Sequence, residues 1–141
     1  MANSVDTITD LLRQSKTIAV VGLSSNPLRP SHDVASYLQR ADYQIIPVNP
    51  YESEVLGQKS YARLEDIPVP IDIVDVFRRP ENVPSVADSA IAIRAKCLWL
   101  QHGIIHVQAA AKAQAAGLLV IQDACLLVEH RKRRMELENR N

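Results

Sequence analysis

The stretch Lys16–Gly22 reads KTIAVVG and runs directly into Leu23-Ser24-Ser25-Asn26-Pro27-Leu28-Arg29-Pro30-Ser31. A nearly continuous apolar run closed by glycine is the pattern of a strand buried on both faces of a parallel sheet. The polar loop then gives way to Val34, Ala35, Leu38 and Ala41 at helical spacing. Pro30 tolerates the first turn of such a helix, and Ser31 is suited to capping its free N–H groups. Strand, glycine turn and helix in that order open a βαβ unit.

The same alternation extends outward on both sides. Upstream, Val5–Gln14 places Val5, Ile8, Leu11 and Leu12 along one side of a short amphipathic helix. Downstream, strands are expected at Tyr43–Val48, Ile71–Phe77, Cys97–Leu100 and Leu118–Ile121. Helices are expected at Asn82–Ala95, Val107–Ala116 and Ala124–Glu138. Pro47 marks the exit of the second strand, because proline cannot donate to a ladder. Tyr51–Ile67 reads as a longer excursion with a short strand and one helical turn around Leu64–Ile67. Gly117 is expected in the left-handed region just past its helix. Asp72 and Asp75 do not share one alternating face, so at least one of them is expected near a strand end or with a partner. The pattern implies an α/β fold: a Rossmann-like doubly wound parallel sheet of about five strands with helices on both faces. No repeat or linker divides the chain, so residues 1–141 are read as one domain.

Composition narrows the function classes. Hydrophobic residues make up 47% of the chain, enough for a packed core, and aromatics only 4%, so that core is aliphatic. The net charge is zero, which removes the global field that gathers nucleic acid or anionic membrane. Neither partner is expected. Met1–Asp10 lacks the basic start and apolar stretch of a signal peptide, and no apolar run is long enough to span a bilayer. Cys97 and Cys125 do not form a disulfide framework and read as small buried thiols. A cytoplasmic location is expected.

Ligands of doubly wound sheets bind beyond the carboxyl ends of the strands. The loop from Gly22 stands where the dinucleotide fingerprint G-x-G-x-x-G would stand, but Ser24 and Pro27 replace its second and third glycines. Gly22 still permits the tight turn. Ser24 and Ser25 can donate to phosphate oxygens, the following helix N-terminus favours an anion, and Arg29 supplies positive charge. The alternative is a plain strand-to-helix turn with capping serines. The second strand ends Val48-Asn49-Pro50, without the acid that holds the ribose hydroxyls of NAD; the first acid is Glu52, beyond the proline. The third ends Phe77-Arg78-Arg79-Pro80, which offers either surface arginines or a phosphate contact with an apolar surface for a nucleobase. The fourth ends Gln101-His102-Gly103.

Together these motifs identify a resemblance. GLSSNPLRPSHDVASYL (Gly22–Leu38), PVNP (Pro47–Pro50), VLGQKSYARLEDIP (Val55–Pro68), DIVDVFRRPENVP (Asp72–Pro84), LWLQHGI (Leu98–Ile104) and AGLLVIQDACLLVEH (Ala116–His130) resemble the stand-alone CoA-binding domain proteins of bacteria and archaea. These are similar to the N-terminal domain of the succinyl-CoA synthetase α subunit. The resemblance implies coenzyme A as the ligand. It places Gly22, Ser24, Ser25, Pro27 and Arg29 along the pyrophosphate, and Val48, Asn49 and Pro50 on the neighbouring wall. Phe77, Arg78, Arg79 and Pro80 would face the adenosine portion, and Gln101 and Gly103 would border the pantetheine path. Arg94 stands where relatives usually have glycine, Ala124 where they have arginine, and His102 where they commonly have leucine.

The implied function is non-catalytic binding of CoA or an acyl-CoA, since catalysis in the synthetases needs a further domain. The alternatives are a CoA-dependent transferase or ligase component, or a nucleotide-cofactor oxidoreductase. No metal site is expected. His102 and His106 are four apart, but Gly103 and the missing glutamate spoil the H-E-x-x-H pattern. Cys125 and His130 could pair as a thiolate and base if an electropositive setting surrounded them. The run Arg131-Lys132-Arg133-Arg134 lies among Glu129, Glu136 and Glu138 and reads as a solvated helix face.

Overall fold

The computed structural model describes residues 4–138; Met1–Asn3 and Asn139–Asn141, which the expected domain span includes, lie outside them. The chain forms α1 (Ser4–Gln14), β1 (Thr17–Val21), α2 (Pro30–Arg40), β2 (Gln44–Val48) and the short strands β3 (Glu54–Val55) and β4 (Gln58–Lys59). β5 (Ile73–Val76), α3 (Val83–Ala92), β6 (Cys97–Leu100), α4 (Val107–Ala115), β7 (Leu119–Ile121), α5 (Leu126–Lys132) and α6 (Arg134–Glu138) follow. The main sheet is parallel throughout, in the order β2-β1-β5-β6-β7. This is one of the two common doubly wound orders, with its switch point between β1 and β5. Among the described residues, no helix is long and apolar enough to cross a membrane.

Strand alternation sorts the core into two layers. Ala19, Val21, Val74, Val76, Leu98 and Leu100 face α3 and α4, while Ile18, Val20, Ile73, Cys97 and Trp99 face α1, α2 and α5. Fully buried Trp99 satisfies its indole N–H by donating to the Ala124 carbonyl at 2.8 Å. The excursion after β2 is a hairpin turning through Leu56 and Gly57, both at positive φ. That geometry matches the right-handed twist of two short strands. Tyr61 then bridges to Val48 in parallel.

Three helices end alike, with a sixth-to-first and a fifth-to-second backbone bond around one left-handed residue. Tyr43 and Asp42 donate to Leu38 and Gln39 after α2, Ala95 and Arg94 to Ala90 and Ile91 after α3, and Leu118 and Gly117 to Ala113 and Gln114 after α4. Only Gly117 announced this in the sequence; Asp42 (φ 77°) and Arg94 (φ 58°) occupy the glycine position without being glycine. The helix expected over Asn82–Ala95 therefore stops at Ala92. The helix expected over Ala124–Glu138 is broken at Arg133, whose guanidinium takes the Glu129 carbonyl at 2.8 Å while its own N–H turns to His130. Arg133 is also buried against the Glu129 carboxylate (2.9 Å), so the basic run is not wholly a solvated face.

The two aspartates separate as expected, but not symmetrically. Asp72 precedes β5 and accepts from the Lys16 and Thr17 N–H groups, with Lys96 at 3.2 Å. Burial acts to raise its pKa, and these donors and the lysine outweigh burial and lower it. Asp75 lies inside β5 in register with Val20 and Trp99, fully buried, with neither carboxyl oxygen hydrogen-bonded. Burial raises its pKa well above the ordinary value.

Candidate functional site at the carboxyl end of the sheet

The loops after β1 and β5 meet at the switch point. Gly22 has φ +88°, and a Cβ placed on it would lie 2.4 Å from the Phe77 carbonyl oxygen and 3.1 Å from Arg78 Cδ. No other residue allows that approach. Beside this contact opens a cavity of about 260 Å³, with Val21, Val48, Pro50, Arg78, Ser85 and Ser89 on its walls. Of the residues predicted for the site, the structure thus brings Val48, Pro50 and Arg78 together around a cavity, with Gly22 packed against Arg78.

The β1 loop is bonded largely to itself. Ser24 N–H donates to Ser31 Oγ, Asn26 N–H to Ser24 Oγ, and Leu28 N–H to Asn26 Oδ1, all at 3.0 Å. Ser31 is therefore not the cap of α2; Arg29 holds that position without a side-chain cap bond. Ser25 and Pro27 are exposed on the loop. The guanidinium groups of Arg29, Arg78 and Arg79 have no hydrogen-bond or ion-pair partner among the described residues. In the loops at this end of the sheet they are cations open to an anionic ligand.

Several of the other expected site residues have partners or placements of their own. Asn49 clamps the loops around it: its Nδ2 donates to the Leu23 carbonyl at 2.9 Å and its Oδ1 accepts from Tyr51 N–H. Phe77 is half-buried against the core layer on the α2 side, away from the cavity that Arg78 lines. Buried Gln101 uses its Oε1 to accept from Leu126 N–H at 3.0 Å, which ties β6 to α5. Gly103 (φ 84°) sits in an exposed turn and donates to Asp123 at 2.7 Å. Pro80 begins a single exposed turn of 3-10 helix before α3.

Glu52 was legible only as an acid too far along the chain to matter. The hairpin folds it back so that its carboxylate accepts from Ser25 N–H at 3.0 Å. Hydrogen bonds from the Ser25 side chain and backbone lower its pKa. An acid does reach the first loop, from two residues beyond Pro50, and it rests where an anionic ligand would find a donor. The sequence likewise hid Ser85 and Ser89, one helical turn apart on α3. Ser85 Oγ donates to the Asn82 carbonyl at 3.2 Å, and Ser89 Oγ to Glu65 at 2.9 Å.

The histidines and cysteines take separate places. His106 Nδ1 accepts from Ala109 N–H and caps α4, while exposed His102 lies 3.5 Å from Asp123. His102 and His106 therefore do not share a helix face. Cys97 is buried, and burial followed by the Asp75 charge pushes its thiol pKa up. Cys125, expected to be buried, is only partly so. Its suggested partner His130 is bonded through Nδ1 to Tyr37 Oη at 2.8 Å.

Residues 16–131 match the CoA binding domain family. The chain belongs to that family. It is 46% identical over 123 residues to the uncharacterized protein YneT of Bacillus subtilis (strain 168), covering 87% of this chain and 91% of that one. It is similar to the solved structure of a hypothetical protein from Pyrococcus horikoshii OT3, with a TM-score of 0.90, 36% identity, and 93% and 92% of the two chains covered. A structure from Thermus thermophilus superposes with a TM-score of 0.89 at 38% identity, covering 93% of this chain and 98% of that one.

Proposed function

We propose that this chain binds coenzyme A or an acyl-CoA at the carboxyl end of its sheet and carries out no reaction on it. The observation that carries this reading is the packing of Gly22 against Phe77 and Arg78 across the switch point, beside a cavity that the unpartnered Arg78 lines. Membership of the CoA binding domain family supports the choice of ligand. Arg29, Arg78 and Arg79 offer charge-assisted donors to a diphosphate, and the apolar walls at Val21 and Val48 suit the uncharged parts of the nucleotide. Glu52 is held by Ser25 rather than presented as a free acceptor for ribose hydroxyls, which favours CoA over NAD.

Calorimetry with CoA, acetyl-CoA, NAD and ATP tests the ligand. Saturable binding of CoA or acetyl-CoA and much weaker binding of NAD are expected; equal affinity for NAD overturns the reading. One observation favours an enzyme instead: His102 stands beside Asp123, as a base does beside the group that orients it. Turnover of acyl-CoAs, or of acid with CoA and ATP, that disappears in His102→Ala would establish that alternative.

A further inference from the structure

A second cavity, of about 700 Å³, lies at the opposite, amino end of the sheet. Its walls form where the chain enters the first two strands: Ser15 and Lys16 precede β1, and Ala41–Tyr43 precede β2. The volume falls within the range of small-molecule sites.

His130, which is 7% exposed, lines it. Tyr37 and Tyr43 stand edge-on to the imidazole at 5.4 Å and 5.6 Å, and Tyr37 Oη holds Nδ1 at 2.8 Å. The ring is thus fixed in place, and its Nε2 has no hydrogen-bond partner among the described residues. Around it stand Arg13, Lys16, Arg40 and Arg134, against the carboxylates of Asp42 and Glu138. Arg134 is shared with Glu138 at 3.1 Å and Arg13 with Asp10 at 3.7 Å. Among the described residues, the Lys16 ammonium has no acid partner and Arg40 is bonded to the Ser36 hydroxyl alone. The excess of positive charge that the described residues place around a preorganised, partly aromatic cavity is what a dianion with an organic body requires.

We propose that this cavity is a binding site for a small phosphorylated metabolite, separate from the carboxyl-end site. The phosphate lies between Lys16 and Arg40, and the tyrosine-histidine cluster forms the wall against the body of the ligand. This assignment does not depend on what the carboxyl end binds.

The test is an NMR titration of the whole chain with inorganic pyrophosphate and with AMP, at constant ionic strength. Saturable shifts are expected at the amides of Lys16, Asp42, Tyr43 and His130. Combining Lys16→Gln with Arg40→Gln should weaken binding by at least about tenfold, the scale of losing one hydrogen bond between charged groups. Both side chains are exposed, so the fold should hold; Arg134→Gln gives an independent variant if it does not. The proposal is overturned if neither probe saturates, if shifts are confined to Gly22–Arg29 and Phe77–Arg79, or if the folded variants bind like the wild type.

Discussion

The two ends of this sheet are built from the same strands and differ in what shapes them. At the carboxyl end, loops diverge at the switch point, and the small cavity of about 260 Å³ exists because Gly22 lets the β1 and β5 loops touch. At the amino end, helix termini turn through left-handed residues into the strands, and a larger space of about 700 Å³ remains beneath His130. The larger cavity is therefore not where strand order alone would place a ligand. Topology marks one end, whereas charge and side-chain packing mark the other.

Substitution at Gly22 should separate the ends most sharply. Gly22→Ala adds a Cβ against the Phe77 carbonyl and forces a non-glycine residue to positive φ. A loss of about 3 kcal/mol is expected from clash and backbone strain together, read by urea denaturation. CoA binding should fail while the amino-end resonances of any folded fraction stay in place. Wild-type stability would remove the close approach from the account.

Next come the cations. Arg29→Ala and Arg78→Ala should each weaken CoA binding by about 1.5–3 kcal/mol, the range for hydrogen bonds to charged groups. Calorimetry measures this, with Lys16→Gln as the control that should leave CoA affinity alone. If the control fell with the arginines, the two ends would not be independent.

Asp75 lies between the ends and should affect stability rather than either ligand. Its raised pKa means that the folded protein keeps a proton which the unfolded chain releases in the ordinary carboxylate range. Stability should therefore fall as pH rises above that range toward the folded-state pKa. Asp75→Asn should remove this decline in denaturation midpoints measured from acid to neutral pH. An unchanged slope would assign it to other groups.

Smaller effects sit at the edges. Arg94→Gly relieves a left-handed residue at the amino end of β6 and should stabilise the fold by about 0.5–1 kcal/mol; an unchanged melting temperature would mean the strain is absorbed elsewhere. Glu52→Gln removes the carboxylate resting on Ser25 and should tighten CoA binding, by less than either arginine variant weakens it. Weaker binding would make Glu52 a ligand contact instead of a competitor.

Local pattern determined much of this protein. Apolar runs and helical spacing placed each main strand, and every helix before the last, within a few residues, because which side chains face inward is written in successive residues. They also pointed to the switch-point loops, where Gly22, Val48, Pro50 and Arg78 do converge. Tertiary structure alone decided the work of the polar side chains. Asn49 and Gln101, expected along the ligand path, are committed to backbone partners, and Glu52 looked remote and lies on Ser25, 27 residues back along the chain. The amino-end cavity depends on Tyr37 meeting His130, 93 residues away. Such pairs leave no periodic trace, because a hydrogen bond across the fold depends on where strand order and helix ends set two side chains, not on their neighbours in sequence.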